Sequence, residues 1–192
     1  MIGIIDYGSG NMGSIEYCLK RNKLDYLISA NPEKLNKCKK ILFPGVGNAE
    51  FAMQKLKEKK LDRFLISCEK PVFGICLGMQ LLAEFSEEGN TKCLGIIPLT
   101  IKKFDTKQVK RVPHMGWNTI DFPESEFDKN YFYFVHSYYM PLGDWTVAKC
   151  EYGGQFFSAV VHYKNFWGIQ FHPEKSGDIG EQFLIFLLRK HG

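Results

Sequence analysis

Pro71-Val72-Phe73-Gly74-Ile75-Cys76-Leu77-Gly78-Met79-Gln80-Leu81-Leu82-Ala83-Glu84-Phe85 is the stretch whose reading decides this fold. Its first residues read as the end of a short buried strand, and the residues from Leu77 to Phe85 carry apolar side chains at helical spacing. Cys76 falls at the junction, with Gly74 and Gly78 two residues away on either side. A cysteine at a tight strand-to-helix turn flanked by glycines is the thiol form of a nucleophile elbow. The glycines permit unusual backbone angles and keep side chains away from the sulfur. A helix start directs unpaired N–H groups and a positive dipole end at such a residue, which favours thiolate over thiol. A buried structural cysteine is the competing reading of the same residues.

Working outward, the first half of the chain alternates. Strands are expected at Ile2–Asp6, Tyr26–Ser29, Lys40–Phe43 and Pro71–Ile75, and helices at about Met12–Arg21, Ala49–Ser67 and Leu77–Phe85. This β-α-β rhythm predicts an α/β fold: a mostly parallel central sheet flanked by helices. From Leu94 to Phe171 short aromatic and β-branched runs such as Tyr131–Tyr139 and Thr146–Tyr152 predict additional strands. A closing helix is expected at about Asp178–Lys190. No linker, repeat or low-complexity stretch interrupts residues 1–192, so one domain is expected. In open α/β sheets ligand sites lie at the carboxyl ends of strands, where Cys76 falls.

A reactive cysteine needs a base, and the base needs a group to fix its tautomer. Gln170-Phe171-His172-Pro173-Glu174-Lys175-Ser176 supplies both. Pro173 pushes His172 into extended backbone, and in extended chain His172 and Glu174 project to the same side. Joined to the elbow, the pair completes a Cys-His-Glu triad.

Composition sets bounds. A chain of 192 residues buries roughly 70% of its unfolded surface. Its 45% hydrophobic and 24% charged residues are ordinary for a soluble globular protein. The net charge of +4 comes from scattered lysines such as those of Lys55–Lys60, without the aromatic-basic interleaving of a nucleic-acid footprint. Six cysteines lack any Cys-x-x-Cys pair, which argues against a zinc site. The amino terminus reads as a strand and no apolar run reaches membrane-spanning length, so a cytoplasmic enzyme with reduced thiols is expected. Gly8-Ser9-Gly10-Asn11-Met12-Gly13 matches a dinucleotide fingerprint. The second strand, however, ends Leu27-Ile28-Ser29-Ala30 without the carboxylate that would hold a ribose, which favours a plain tight turn.

Six segments together resemble a known family. They are Ile5-Asp6-Tyr7-Gly8-Ser9-Gly10-Asn11, Pro44-Gly45-Val46-Gly47, Gly74–Gln80, Pro113-His114-Met115-Gly116-Trp117-Asn118, Phe134-Val135-His136-Ser137-Tyr138 and Gln170–Ser176. In this order they resemble the class I (triad-type) glutamine amidotransferases, and within them the glutaminase subunits of imidazole glycerol phosphate synthases. The resemblance implies the flavodoxin-like fold of that class and a triad of Cys76, His172 and Glu174. It implies oxyanion donors at Val46, after a backbone adjustment, and at Leu77. Glutamine would be bound through Gly45, Gly47, Gly78, Gln80, His136, Ser137 and Tyr138. It also implies no cofactor, no metal, and a heterodimer with a (βα)8-barrel cyclase subunit that receives ammonia through a channel and makes imidazole glycerol phosphate and an aminoimidazole carboxamide ribotide in histidine biosynthesis. Asn11, His114, Trp117 and Lys175 would lie at that interface; His162 and His191 have no assigned role. The chain departs from the family where Gly-Val-Gly is usually followed by Ala-Phe and here by Asn48-Ala49-Glu50-Phe51. Two competing readings remain at this stage. One is a paralogous glutaminase feeding another synthase, for example in amidination of a surface-polysaccharide sugar; the other is a non-enzymatic member using the cysteine as a redox sensor.

Overall fold

The computed structural model describes residues 1–190; His191 lies outside them. In chain order it contains β1 (Ile2–Ile5), α1 (Met12–Arg21), β2 (Tyr26–Ser29), α2 (Pro32–Leu35), β3 (Lys40–Gly45), α3 (Ala49–Glu58), α4 (Leu61–Ile66), β4 (Val72–Cys76), α5 (Leu77–Gln80) and β5 (Ala83–Ser86). The second half contributes β6 (Thr91–Lys92), β7 (Ile97–Lys103), β8 (His114–Thr119), β9 (Tyr131–His136), β10 (Tyr138–Tyr139), β11 (Thr146–Tyr152), β12 (Gln155–Tyr163), β13 (Phe166–Ile169) and α6 (Gly177–Lys190).

The central sheet has the order β11-β12-β13-β4-β3-β1-β2. The β13-β4-β3-β1-β2 portion is parallel, and β12 and β11 extend it antiparallel. Its strands are apolar on both faces, as a sheet covered on both sides requires. Along β1, β3 and β4 the side chains alternate between two cores. Ile4, Leu42, Phe73 and Ile75 face one with α1 and α6, and Ile5, Ile41, Phe43 and Val72 face the other with α3 and α4. In α1 the residues Ile15, Cys18 and Leu19 form the buried stripe, and in α6 Phe183, Leu184, Leu187 and Leu188 do so. A smaller sheet of order β10-β7-β5-β6 and the β8-β9 pair are built from the second half of the chain. The mixed α/β fold with a mostly parallel central sheet is therefore as expected.

Three local expectations are corrected. The helix expected over Leu77–Phe85 stops at Gln80, and Ala83–Ser86 is a strand paired with β6 and β7. Leu81, Leu82 and Ala83 are all buried, so this apolar run fits either period; the Leu82 carbonyl accepts from Ile96 and Ile97 N–H instead of continuing the helix. The helix expected over Ala49–Ser67 is broken at Lys60, whose φ of 58° is left-handed, a conformation no right-handed helix can contain. The Tyr131–Tyr139 run splits at Ser137, sending β9 to β8 and β10 to β7. One short helix, α2, went unread, although Asn31-Pro32 carries its signature: Asn31 Oδ1 accepts from Glu33 and Lys34 N–H, with Pro32 at the first turn.

Candidate active site

β4 runs between β3 and β13, and register decides what surrounds its end. Gly45 pairs with Cys76, and Ile75 with Ile169, so Gln170 is the next residue alongside Cys76. Cys76 has φ 53° and ψ −109°, a strained conformation for a residue bearing a side chain. The strain is held by close backbone packing around α5. A Cβ on Gly78 would lie 1.9 Å from the Phe43 carbonyl oxygen, and one on Gly74 would lie 2.8 Å from Gly78 backbone atoms. The glycines therefore let the elbow press against β3. Leu77 is the first residue of α5, so its N–H has no intrahelical acceptor.

His172 and Glu174, the expected acid-base pair, come from the turn after β13. His172 Nδ1 and Glu174 Oε1 are 2.8 Å apart, and both side chains are almost fully buried, at 2% and 1% exposure. The turn is fixed to β9: His172 N donates to Tyr133 O at 2.9 Å, and Tyr133 N donates to Ser176 Oγ at 2.9 Å. Burial by itself would push the His172 imidazolium to lower pKa. The negative charge and hydrogen bond of Cys76, together with Glu174, outweigh burial and raise it to about 10. With Nδ1 committed to Glu174, Nε2 is the ring nitrogen available to Cys76. The three residues expected to form the triad thus converge, with the His172 ring held between Cys76 and Glu174.

Glycine-rich loops close the upper side. Ser9 Oγ donates to the Val46 carbonyl, and Asn11 Nδ2 donates to Glu174 Oε1 at 3.3 Å. Gly8 and Gly10 have φ of 96° and 143°, so the turn after β1 needs its glycines. Asn11 makes no side-chain cap on α1; its side chain is turned toward Glu174 instead. The divergent Asn48 acts locally, as the cap of α3, where its Oδ1 accepts from Glu50 and Phe51 N–H at 2.9 and 3.2 Å.

Cys76 and His172 line a cavity of about 350 Å³ with Val46, Gly47, Leu77, Gln80, Glu88, Ser137, Tyr138 and Lys175. A larger groove of about 700 Å³ between α1 and α6, including Arg21, Glu181 and Phe186, contains no nucleophile. Of the expected ligand-binding residues, Gly45 and Gly78 pack against each other beneath the elbow: a Cβ on Gly45 would lie 2.7 Å from Gly78 N. Gln80 Nε2 is committed to Tyr138 O at 2.8 Å and to Gln170 Oε1 at 2.9 Å, leaving only its Oε1 for a ligand. His136 also lines the cavity, yet both ring nitrogens are engaged, with Tyr138 O at 2.8 Å and His114 at 3.0 Å.

Sequence reasoning missed Glu88. A continuous helix would have carried it about 18 Å from Cys76, whereas the reversal into β5 returns it to the cavity wall. Glu88 Oε2 accepts from Ala49 N–H at 2.8 Å, and burial raises its pKa. His114 is corrected: it is buried at 3% exposure and bonded to His136, so it cannot face a partner. A spacing of three along β8 puts it on the face opposite Trp117, which is 56% exposed beside the exposed Met115. Lys175 is exposed at the cavity rim, and Asn11 is half-buried. Among the described residues no three His, Cys, Asp or Glu side chains converge to hold a metal ion, and no helix is long and apolar enough to cross a membrane.

Comparison with known proteins gives the family. Residues 3–190 match the family described as Glutamine amidotransferase class-I. The chain is 47% identical over 189 residues to the imidazole glycerol phosphate synthase subunit HisH of Bacteroides fragilis, covering 95% of this chain and 96% of that one. It is 45% identical over 192 residues to imidazole glycerol phosphate synthase subunit HisH 2 of Campylobacter jejuni, covering 98% of both. Among solved structures, one described as a glutamine amidotransferase superposes with a TM-score of 0.76 at 17% identity over 97% of both chains. The PurLQS structure from Thermotoga maritima gives 0.71 at 16% identity, over 98% of this chain and 97% of that one. The family match over residues 3–190 and the identity of nearly half the residues to these relatives make the chain a member of the class I glutamine amidotransferase family.

Proposed function

We propose that the chain is the glutaminase subunit of an imidazole glycerol phosphate synthase, hydrolysing glutamine and delivering ammonia to a cyclase for histidine biosynthesis. The observation that carries the chemistry is Cys76 in a strained elbow, sharing the cavity with a His172 ring whose Nδ1 is held by Glu174. The Cys76 thiolate attacks the side-chain amide carbon of glutamine. The developing oxyanion is held by the free Leu77 N–H and, once the Val46 segment lets go of Ser9, by Val46 N–H. His172 gives its proton to the departing nitrogen, which leaves as ammonia, and a γ-glutamyl thioester remains. Water, deprotonated by His172, then hydrolyses the thioester to glutamate and restores the thiolate. Glu174 holds the ring tautomer and its charge throughout.

Substrate selection follows from the walls. Glu88 is the anionic side chain on the cavity wall away from the triad, placed for the α-ammonium of glutamine. Gln80 Oε1, Gly47, Ser137 and Tyr138 contribute polar backbone and side-chain groups around it. The partner is a (βα)8-barrel cyclase subunit that docks over Asn11, Trp117 and Lys175 as a heterodimer, so that ammonia leaves past Lys175 without meeting solvent, in the cytoplasm. Because the Ser9 hydroxyl holds the Val46 carbonyl, the free subunit is expected to be slow and the docked one fast. The test is glutamate release from glutamine by this chain alone and with the cyclase subunit plus its nucleotide ligand. Stimulation of at least about tenfold, abolished by Cys76→Ala, is expected. Full activity of the free chain overturns the gating, and failure of the cyclase to bind or stimulate overturns the pathway.

A further inference from the structure

The segment Gln170–Ser176 gave the triad its base, yet its first residue, Gln170, is fully buried and unused by the reaction described above. Gln170 follows β13 immediately beside the end of β4, and its Nε2 lies 3.8 Å from Cys76 Sγ, within hydrogen-bonding range for sulfur. The structure assigns Gln170 a catalytic role: its side-chain amide N–H holds the Cys76 thiolate, in an orientation imposed by Gln80, whose amide is fixed in turn by the Tyr138 carbonyl. This rests on Cys76 being the nucleophile.

Each joint of the relay admits one assignment of donor and acceptor. Tyr138 O is a carbonyl and can only accept, so both groups bonded to it must donate. One is Gln80 Nε2 at 2.8 Å, whose second hydrogen is given to Gln170 Oε1 at 2.9 Å. Gln170 must then present its NH2 to the sulfur. The other donor is His136 Nδ1 at 2.8 Å. His136 Nε2 therefore carries a lone pair and accepts from His114 Nδ1 at 3.0 Å. His114 Nε2 in turn accepts from Asn118 Nδ2 at 3.3 Å, whose other hydrogen goes to Glu151 O at 2.8 Å. The two imidazoles stay neutral in an aromatic box, with Phe134 and Tyr152 stacked on His114 and Phe157 edge-on to both. The histidine branch ends on Glu151 O and Tyr138 O; the branch through Gln80 starts from Tyr138 O, and with Gln80 Nε2 fixed there the amide of Gln170 cannot turn its oxygen toward the sulfur. A turned amide would set a carbonyl oxygen against the thiolate and leave Gln80 Nε2 unpaired, both costly in a buried site.

The test needs neither glutamine nor the partner. The rate of Cys76 alkylation by iodoacetamide is followed against pH, with the modified cysteine identified by peptide mass spectrometry, and folding checked by circular dichroism. His172, Tyr7 and, through His172, Glu174 are the other titratable groups facing the sulfur, and all remain in each variant. In Gln170→Met the half-limiting pH is expected to rise by about one unit, with about tenfold slower alkylation at pH values below it. Gln170→Glu, once ionised, has no hydrogen to offer and adds a negative charge, so at pH values where its carboxyl is ionised it is expected to do the same or more. Should Gln170→Met unfold, Gln80→Met carries the test from one link out by freeing the amide to turn, with a smaller rise expected. Profiles superimposed on that of the wild type overturn the role of Gln170. Wild-type Cys76 reacting no faster than the other cysteines overturns the nucleophile assignment and this proposal together.

Discussion

His172 and His136 stand on different walls of one cavity, both almost fully buried, at 2% and 6% exposure, and the structure pushes them in opposite directions. Burial alone disfavours charge on either ring. At His172 the thiolate of Cys76 and the carboxylate of Glu174 overcome that penalty and raise the pKa to about 10. At His136 burial is left to dominate and His114 adds to it; the bond to Tyr138 O compensates little, and the pKa falls to about 3. The contrast teaches that burial sets the default and the immediate partners decide. One wall holds a charged ring, as the proposed acid-base role requires, and the other holds a fixed neutral tautomer.

The largest expected effect comes from removing what makes the first wall charged. Glu174→Gln keeps the size of the side chain but replaces the acceptor of the Nδ1 proton with an amide free to present its NH2, which favours the wrong tautomer. Glutamine hydrolysis in the presence of the synthase subunit is expected to fall by roughly 10³–10⁴, read as kcat/KM. A fall below about tenfold would mean that His172 holds its charge through Cys76 alone, and the comparison between the walls would lose its basis.

A smaller effect sharpens the second wall. His114 and His136 have folded pKa values of about 4 and about 3, both below the unfolded value of 6.5. In the window between, the unfolded chain binds protons that the folded chain refuses. Their contribution to stability is thus complete above pH 6.5 and is lost as the pH falls toward 4 and then 3. The slope is about 1.4 kcal/mol per pH unit for each ring. Urea unfolding at pH 7.5, 6 and 5 is expected to show a shallower decline for His114→Phe than for the wild type, over and above a fixed loss at pH 7.5 from leaving His136 Nε2 unpaired. Parallel declines would mean that the pair takes up protons without unfolding. His172 runs the other way: its contribution is complete below pH 6.5 and is lost as the pH rises from there through about 10.

What the sequence made legible follows the same division. The elbow and the His-Pro-Glu turn could be read because backbone constraints leave local marks: glycines around Cys76, a proline after His172. The parallel sheet was readable from the strand-helix rhythm of the first half. Glu88, Gln170 and the His114–His136 pair carry no such marks. Glu88 returns to the cavity only because the chain turns into β5 where the apolar run Leu81-Leu82-Ala83 satisfies a helix equally well. His114 shares a motif with Trp117, which suggests a shared surface, though a spacing of three on a strand sends them to opposite faces. Residues joined by non-local pairing, here through β9 and β13, become neighbours only once register is known.

The smallest expected effect lies where the chain leaves its family's usual pattern. The elbow is held by backbone packing, Gly78 against Phe43 O, which no side-chain change can reproduce. The corner after Val46-Gly47 is held instead by side chains: Asn48 capping α3 and Glu88 bonded to Ala49 N. Asn48→Ala removes two acceptor contacts at the start of α3 and is expected to cost about 1 kcal/mol, lowering Tm by about 2–4 °C for a chain of this size. Alkylation of Cys76 in the same variant is expected to match the wild type, because the elbow does not lean on that corner. A drop in Tm with unchanged alkylation would show that the residues after the glycines can vary with the helix they start, while the nucleophile stays fixed by the strand beside it. A change in alkylation would mean that the two sides of the cavity share one support, and that the departure from the family's pattern reaches the chemistry.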